Sequence, residues 1–189
     1  MKKLLKDSER NNAIRKDLIE RFAGQLMTDD ERAELFGLPK GCRIRENAKI
    51  ISPENFQCGE YVWIGEGAVL DASGGLEIGE HTSIGLNTMI WSHTSFLTNL
   101  TLNNESNSNL IARAKTTIGK GCFIAGPSVV YHGVNIGDFS VIMPMSVVNK
   151  DIPPYSLVGG SPARVIKKID DKFIEETIEK FKRDGQIKG

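Results

Sequence analysis

The chain is short of what would mark a secreted scaffold, a nucleic-acid binder or a membrane protein. Its three cysteines, Cys42, Cys58 and Cys122, are odd in number and far apart, which fits neither a disulfide framework nor a metal site. They are expected as buried thiols in a reducing compartment. An excess of one charge is missing too. The 189 residues carry 24 basic and 24 acidic side chains, so no basic field is available for nucleic acid. No apolar run is long enough to span a bilayer. Met1-Lys2-Lys3-Leu4-Leu5 runs into Lys6, Asp7 and Glu9 without the apolar stretch of a signal peptide. One soluble, cytoplasmic domain is therefore expected. The three histidines, His81, His93 and His132, lack the close pair that a three-histidine zinc site needs, so no metal is expected.

What the chain does have is a period. Ile118, Ile124, Val130, Ile136, Ile142 and Val148 fall at an unbroken spacing of six. A helix repeats its apolar face about every 3.6 residues and a strand about every two, so neither accounts for this. A wound parallel β-helix does: each hexapeptide forms one short flat side, one aliphatic side chain points inward, and three sides close a turn. An ordinary sandwich would space its strands at about 8–12 residues with no fixed period. The position four after each aliphatic reads Cys122, Ser128, Val134, Ser140, Ser146 and Ile152, small or β-branched groups suited to a tight corner. The register continues upstream through Ile44, Cys58, Ile64 and Leu70. After a two-residue slip at Ser73-Gly74-Gly75 it runs through Ile78, Ile84 and Ile90.

The flanks read differently. Ile14, Leu18, Phe22 and Leu26 share one helical face, and Thr28-Asp29-Asp30-Glu31 is a capping box opening a second helix through Phe36, ended by Gly37 and Pro39. Residues 1–40 are expected to cap the open first coil, residues 41–168 to form the coil, and residues 169–189 to hold a terminal helix. That helix, Asp170 to Arg183, lines Phe173, Ile174, Ile178 and Phe181 on one side, for packing on the coil or on a neighbour. Between Ile90 and Ile118 the period fails in a polar stretch that includes Thr98, Asn99 and Asn109, an extruded loop from about 94 to 116. His93, in Trp91-Ser92-His93-Thr94, stands at its entrance and has the chemistry to make the loop functional.

The coil, the histidine before an extruded loop, and an ending that runs Val147-Val148-Asn149-Lys150-Asp151-Ile152-Pro153-Pro154, then Gly159-Gly160-Ser161-Pro162-Ala163-Arg164-Val165-Ile166, together resemble the hexapeptide-repeat acyltransferases. The likeness covers roughly residues 44 to 168. Its nearest branch resembles the maltose and galactoside O-acetyltransferases and related polysaccharide O-acetyltransferases. The fold class so implied is mainly β: a left-handed parallel β-helix with an N-terminal helical cap, an extruded loop and a C-terminal helix. The resemblance also implies acetyl-CoA as co-substrate, a saccharide or glycan-precursor acceptor, and a homotrimer with sites between subunits.

Residue by residue, His93 matches the family's general base, and Asp71 matches an acidic position in the acceptor pocket. Eight residues before it, where the galactoside enzymes carry an acceptor-binding asparagine, stands Trp63, which suits stacking on a different sugar face. On the cofactor side the matching positions are Gly126, Pro144, Ser146, Asn149 and Lys150, with Arg164, Lys167 and Lys168 toward the CoA phosphates. Pro144 and Met145 depart from the alanine and glycine usual there. His81 and His132 are read as structural, His132 standing where family members usually carry proline. Two alternatives stay open, an aminosugar or nucleotide-sugar N-acetyltransferase and a non-enzymatic scaffold or binding module.

Overall fold

In-register stacking of short parallel strands generates the architecture. The computed structural model describes residues 8–9, 11–12, 26–102 and 109–188. The expected helical face of Ile14, Leu18 and Phe22 lies outside the described residues.

Three parallel sheets form the sides of the coil. On the first side Ile44, Ile64, Ile84, Ile124, Ile142 and Val158 register one above the next. On the second side the ladder is Ile50, Leu70, Ile90, Val130 and Val148. On the third it is Cys58, Ile78, Ile118, Ile136 and Ile152. Each strand finds its backbone partners in the coils above and below, as when the Gly79 amide donates to the Ile118 carbonyl at 2.8 Å and that of Gly119 to Ile136 at 2.8 Å. The aliphatic ladders fill the interior and are almost wholly buried, except for the first-coil members Ile50 and Cys58 at the open end.

Small polar residues turn the corners from inside. The Ser128 hydroxyl donates to the Ala125 carbonyl at 2.6 Å and accepts from the Ser146 amide at 3.3 Å. The Ser156 amide donates to the Ser140 hydroxyl at 3.3 Å, and the Cys122 amide to that of Thr82 at 3.0 Å. These hydroxyls serve backbone groups that water cannot reach. His81 lies at such a corner with a left-handed backbone and stacks on Tyr61, ring centroids 4.9 Å apart.

Three details differ from the expected register. Ile50 belongs to the second ladder, hidden by a further slip at the one-turn helix Pro53–Asn55 that lengthens the step to Cys58. Ile152 occupies the third ladder above Ile136 and is no corner residue, because the chain shortens its last second-to-third step. The end of the coil is not another hexapeptide side either. Strand Arg164–Lys168 folds back antiparallel on Ser156–Gly159.

A helix flanks the coil at each end among the described residues. Helix Asp29–Leu35 carries the capping box in full, with the Thr28 amide donating to Glu31 at 2.7 Å. From this helix the buried Arg32 donates through Nε to the Ile44 carbonyl at 2.8 Å, which satisfies an edge acceptor of the first coil. At the other end helix Asp171–Arg183 is capped by Asp170, and Ile174, Ile178 and Phe181 stay about two-fifths exposed along its apolar side. All three cysteines are free thiols. Burial, then the neighbouring Cys42, push Cys58 up to about 12, and burial also raises Cys122, so both are inert core thiols. Among the described residues no helix is long and apolar enough to cross a membrane.

Between the second and third sides of the third turn the chain leaves the coil. His93–Thr94 pairs antiparallel with Ala112–Arg113, a short helix Phe96–Leu100 follows the outgoing strand, and the coil resumes at Thr116–Ile118. Thr116 ties the return to the coil by donating its hydroxyl to the Trp91 carbonyl at 2.7 Å.

Candidate functional site

The slip at Ser73-Gly74-Gly75 and the excursion after Ser92 stand one coil apart, and together they build a polar cluster. Leu70, fully buried in its ladder, fixes the strand Val69–Asp71. The chain then makes a wider corner, with Gly75 at φ +96°. Gly74 lies so close to the next coil that a Cβ would sit 2.9 Å from the Ala114 amide nitrogen, and its own amide donates to the Ser92 hydroxyl at 2.8 Å. Only glycine lets the two turns approach this way.

Asp71, fully buried, is the hub. Its Oδ1 accepts from the Ser73 amide at 3.1 Å. Its Oδ2 accepts from the Ser92 amide at 2.8 Å and the Ser92 hydroxyl at 3.0 Å, and lies 2.7 Å from His93 Nδ1. Burial alone would raise this carboxyl, but the hydrogen bonds from Ser92, His93 and Ser73 outweigh it and hold the pKa at about 2. Asp71 is therefore ionised at neutral pH and can only accept. It follows that His93 Nδ1 carries the proton in this contact and that the lone pair of the neutral ring sits on Nε2. The Ser73 hydroxyl, 3.0 Å from Nδ1, braces the same edge of the ring.

The imidazole, about one-third exposed, lines a groove with Met89, Trp91, Phe96, Tyr131 and His132. Trp91 meets it edge-on, centroids 6.1 Å apart. Trp91, Tyr131 and Asn149 each follow a registered rung, Ile90, Val130 and Val148, and so form one outward row beside His93. An aromatic row next to a base suits the apolar face of a sugar or the acyl arm of a thioester.

The sequence-derived residues fall into three groups. His93 and Asp71 come together as one hydrogen-bonded unit. Gly126 and Pro144 each follow registered Ile124 and Ile142 by two residues and stack at the corner leading into the second side, while exposed Asn149 and Lys150 follow that side at its far edge. They thus bracket one face of the coil. Arg164, Lys167 and Lys168 are exposed on the antiparallel end strand, Lys167 lying over the Phe173 ring at 4.7 Å. Two residues stand apart. Ser146 is 1% exposed, its hydroxyl donates to the Met143 carbonyl at 2.6 Å and its amide to Ser128, so it turns a corner and offers no free donor to a ligand. Trp63 lies on the first side between Arg43 and Ser83, on a different sheet from Asp71, so the fold of the chain does not bring them together.

Ser73, Ser92 and Tyr131 were not singled out by the sequence as site residues. One coil with its slip spans 20 residues, as from Leu70 to Ile90, and adding that offset carries Ser73 onto His93 and Asp71 to Trp91, next to Ser92. His132, expected as structural, lines the His93 groove, and its Nδ1 is buried with no hydrogen-bond partner among the described residues. Among the described residues no three histidine, cysteine or acidic side chains stand together as a metal site would require.

No protein-family model matches the chain. It is 33% identical over 135 residues to the protein named as colanic acid biosynthesis acetyltransferase WcaF of Escherichia coli strain K12, covering 70% of each chain. Among solved structures it is similar to the hexapeptide-repeat acetyltransferase VCA0836 of Vibrio cholerae, crystallised with acetyl coenzyme A. That match has 27% identity and a TM-score of 0.58, over 87% of this chain and 91% of that one. Two further structures share the fold alone. The Clostridium difficile 630 maltose O-acetyltransferase has 24% identity and a TM-score of 0.64, over 80% and 83% of the two chains. The Bacillus cereus N-acyltransferase AntD, with dTDP and 3-hydroxybutyryl-CoA, has 19% identity and a TM-score of 0.63, over 84% and 100%. Period, coil and relatives agree, and the chain belongs to the hexapeptide-repeat β-helix acyltransferase family.

Proposed function

We propose that the protein transfers an acetyl group from acetyl-CoA to a hydroxyl of a sugar or polysaccharide precursor, with His93 as general base. The observation that carries this reading is the 2.7 Å contact between His93 Nδ1 and the ionised, buried Asp71, which leaves Nε2 as the basic nitrogen at the groove. A sugar hydroxyl needs such a base, because it attacks well only as its proton departs. Its oxygen bonds to the thioester carbonyl carbon while Nε2 takes the proton. The tetrahedral centre then collapses, the carbon–sulfur bond breaks, and the imidazolium returns the proton to the CoA sulfur. The products are the acetyl ester and free CoA thiol. Asp71 holds the ring in one tautomer and steadies the imidazolium between the two transfers.

Base catalysis supplies about 10²–10⁴-fold, and holding both substrates in a cleft supplies much of the remainder. A coil has flat sides and no deep pocket of its own, so we assign the complete cleft to a homotrimer in which neighbouring coils face each other. There Trp63 of one subunit supplies the acceptor wall missing beside His93 of the next. Gly126, Pro144, Asn149 and Lys150 line the path of the pantetheine arm, and Arg164 and Lys167 meet the phosphates. The likeness to acetyltransferases, one of them crystallised with acetyl-CoA, supports the donor, and a cytoplasmic location suits that donor.

N-acylation of an aminosugar is the second reading, N-acyl transfer being the activity named for AntD, which shares this fold. Family membership sets the scaffold reading aside. Thiol release from acetyl-CoA across neutral sugars, nucleotide sugars and aminosugars separates the two: turnover with hydroxyl acceptors supports O-acetylation, and turnover with amines alone replaces it.

A further inference from the structure

His93 sits between two grooves. The one lined by Trp91 and Tyr131 runs toward the later coils, where the residues assigned to CoA lie. The other, about 500 Å³, opens toward the earlier coils and is lined by Glu54, Ser73, Gly74, Gly75, Arg113 and Lys115 among others. Ser73 is shared between this second groove and the dyad, since its hydroxyl lies 3.0 Å from His93 Nδ1. A two-substrate transfer needs such an arrangement, one groove for the donor and one for the acceptor, meeting at the base.

The charge in the second groove is distinctive. Arg113 stands directly opposite His93 in the antiparallel pair, so the two side chains leave the same face with their Cβ atoms about 5 Å apart. Lys115 is paired with Glu77. Arg113 is exposed and has no ion pair or side-chain hydrogen bond among the described residues, Glu54 on the same groove included. The planar fork of a guanidinium matches two oxygens of a phosphate or carboxylate.

We propose that Arg113 is an acceptor-specificity residue that binds an anionic group, phosphate or carboxylate, carried by the sugar whose hydroxyl His93 deprotonates. The proposal rests on the His93 reading above and narrows its acceptor to anionic saccharides. A neutral sugar would leave the guanidinium facing only water.

The test uses the full-length protein with matched acceptors: glucose, glucose 1-phosphate, glucuronate and UDP-glucose. Thiol release is followed for wild type, Arg113→Ala and Arg113→Lys, and binding of UDP-glucose and of inorganic pyrophosphate is measured by calorimetry. Wild type is expected to favour charged acceptors over glucose. Arg113→Ala raises KM, or the calorimetric Kd, for the charged ligands about tenfold or more, the range of a charged hydrogen bond. It leaves KM for acetyl-CoA and the response to glucose unchanged, and Arg113→Lys recovers part of the loss. The phosphate and carboxylate arms show which anion is read. A wild type that prefers glucose, or Arg113→Ala binding charged ligands within twofold of wild type, overturns the proposal. His93→Ala in parallel keeps the two readings apart, because it removes turnover with every acceptor while leaving the Arg113-dependent binding in place.

Discussion

Asp71→Asn removes one charge while keeping the side chain's shape, and the geometry fixes how the amide must sit. If its nitrogen replaced Oδ2, the Ser92 amide, the Ser92 hydroxyl and His93 Nδ1 would all lose their acceptor. The oxygen therefore stays there, and the amide nitrogen turns toward the Ser73 amide, two donors now facing each other where Oδ1 accepted at 3.1 Å. A buried donor left unsatisfied costs about 1–3 kcal/mol. The depressed carboxyl gives a consistent figure: lowering its pKa to about 2, from about 3.9 in an unfolded chain, corresponds to on the order of 2 kcal/mol at neutral pH. Because the folded value is the lower one, this stabilisation is complete above the unfolded value and fades as pH falls from about 4 through about 2. Urea midpoints of wild type and variant should differ at neutral pH and converge as pH falls from about 4 toward about 2. In activity the variant should lose on the order of 10²-fold in kcat, because the imidazolium loses its counter-ion. The imidazole ¹⁵N shifts should keep the Nδ1–H tautomer in the variant, since an oxygen still faces Nδ1. A stability gap that ignores pH, or a wild-type ring without the Nδ1–H tautomer, would refute the reasoning.

Three further outcomes follow from the same geometry. Gly126→Ala should destabilise by about 1–3 kcal/mol, read as a fall in Tm, because the new Cβ is forced against the Leu86 backbone, 2.8 Å from its carbonyl carbon. Ser146→Ala should cost about 1–3 kcal/mol of stability yet leave KM for acetyl-CoA unchanged, and a raised KM would restore it as a ligand contact. Arg164→Ala and Lys167→Ala should raise KM for acetyl-CoA several-fold at low ionic strength, less at high salt, with kcat nearly constant; a fall in kcat alone would exclude a phosphate-binding role.

The coil was legible because its ladders are written into the sequence with almost no noise. A single inward aliphatic per side leaves little room for substitution, so Ile118 to Val148 repeat without a break. The ladder was lost where the backbone changes its step. Ile50 and Cys58 are separated by a helical turn, and Ile152 arrives two residues early, both events of corner geometry that no side-chain period records. His93 was legible because an interruption in a strong period draws attention to its edges, and Asp71 through family resemblance. Ser73 and Ser92 were not, since their meeting depends on how many residues one coil consumes, slip included. Arg113 was invisible for another reason: its position opposite His93 is set by the antiparallel pairing of the excursion, which follows no repeat.

The central claim is that His93, oriented by Asp71, takes the acceptor's proton. The most direct test compares kcat for thiol release and calorimetric CoA affinity in wild type and His93→Ala. The account predicts a fall in kcat of about two orders of magnitude or more with CoA affinity within about twofold, since only the base is removed. Turnover near the wild-type rate would contradict it.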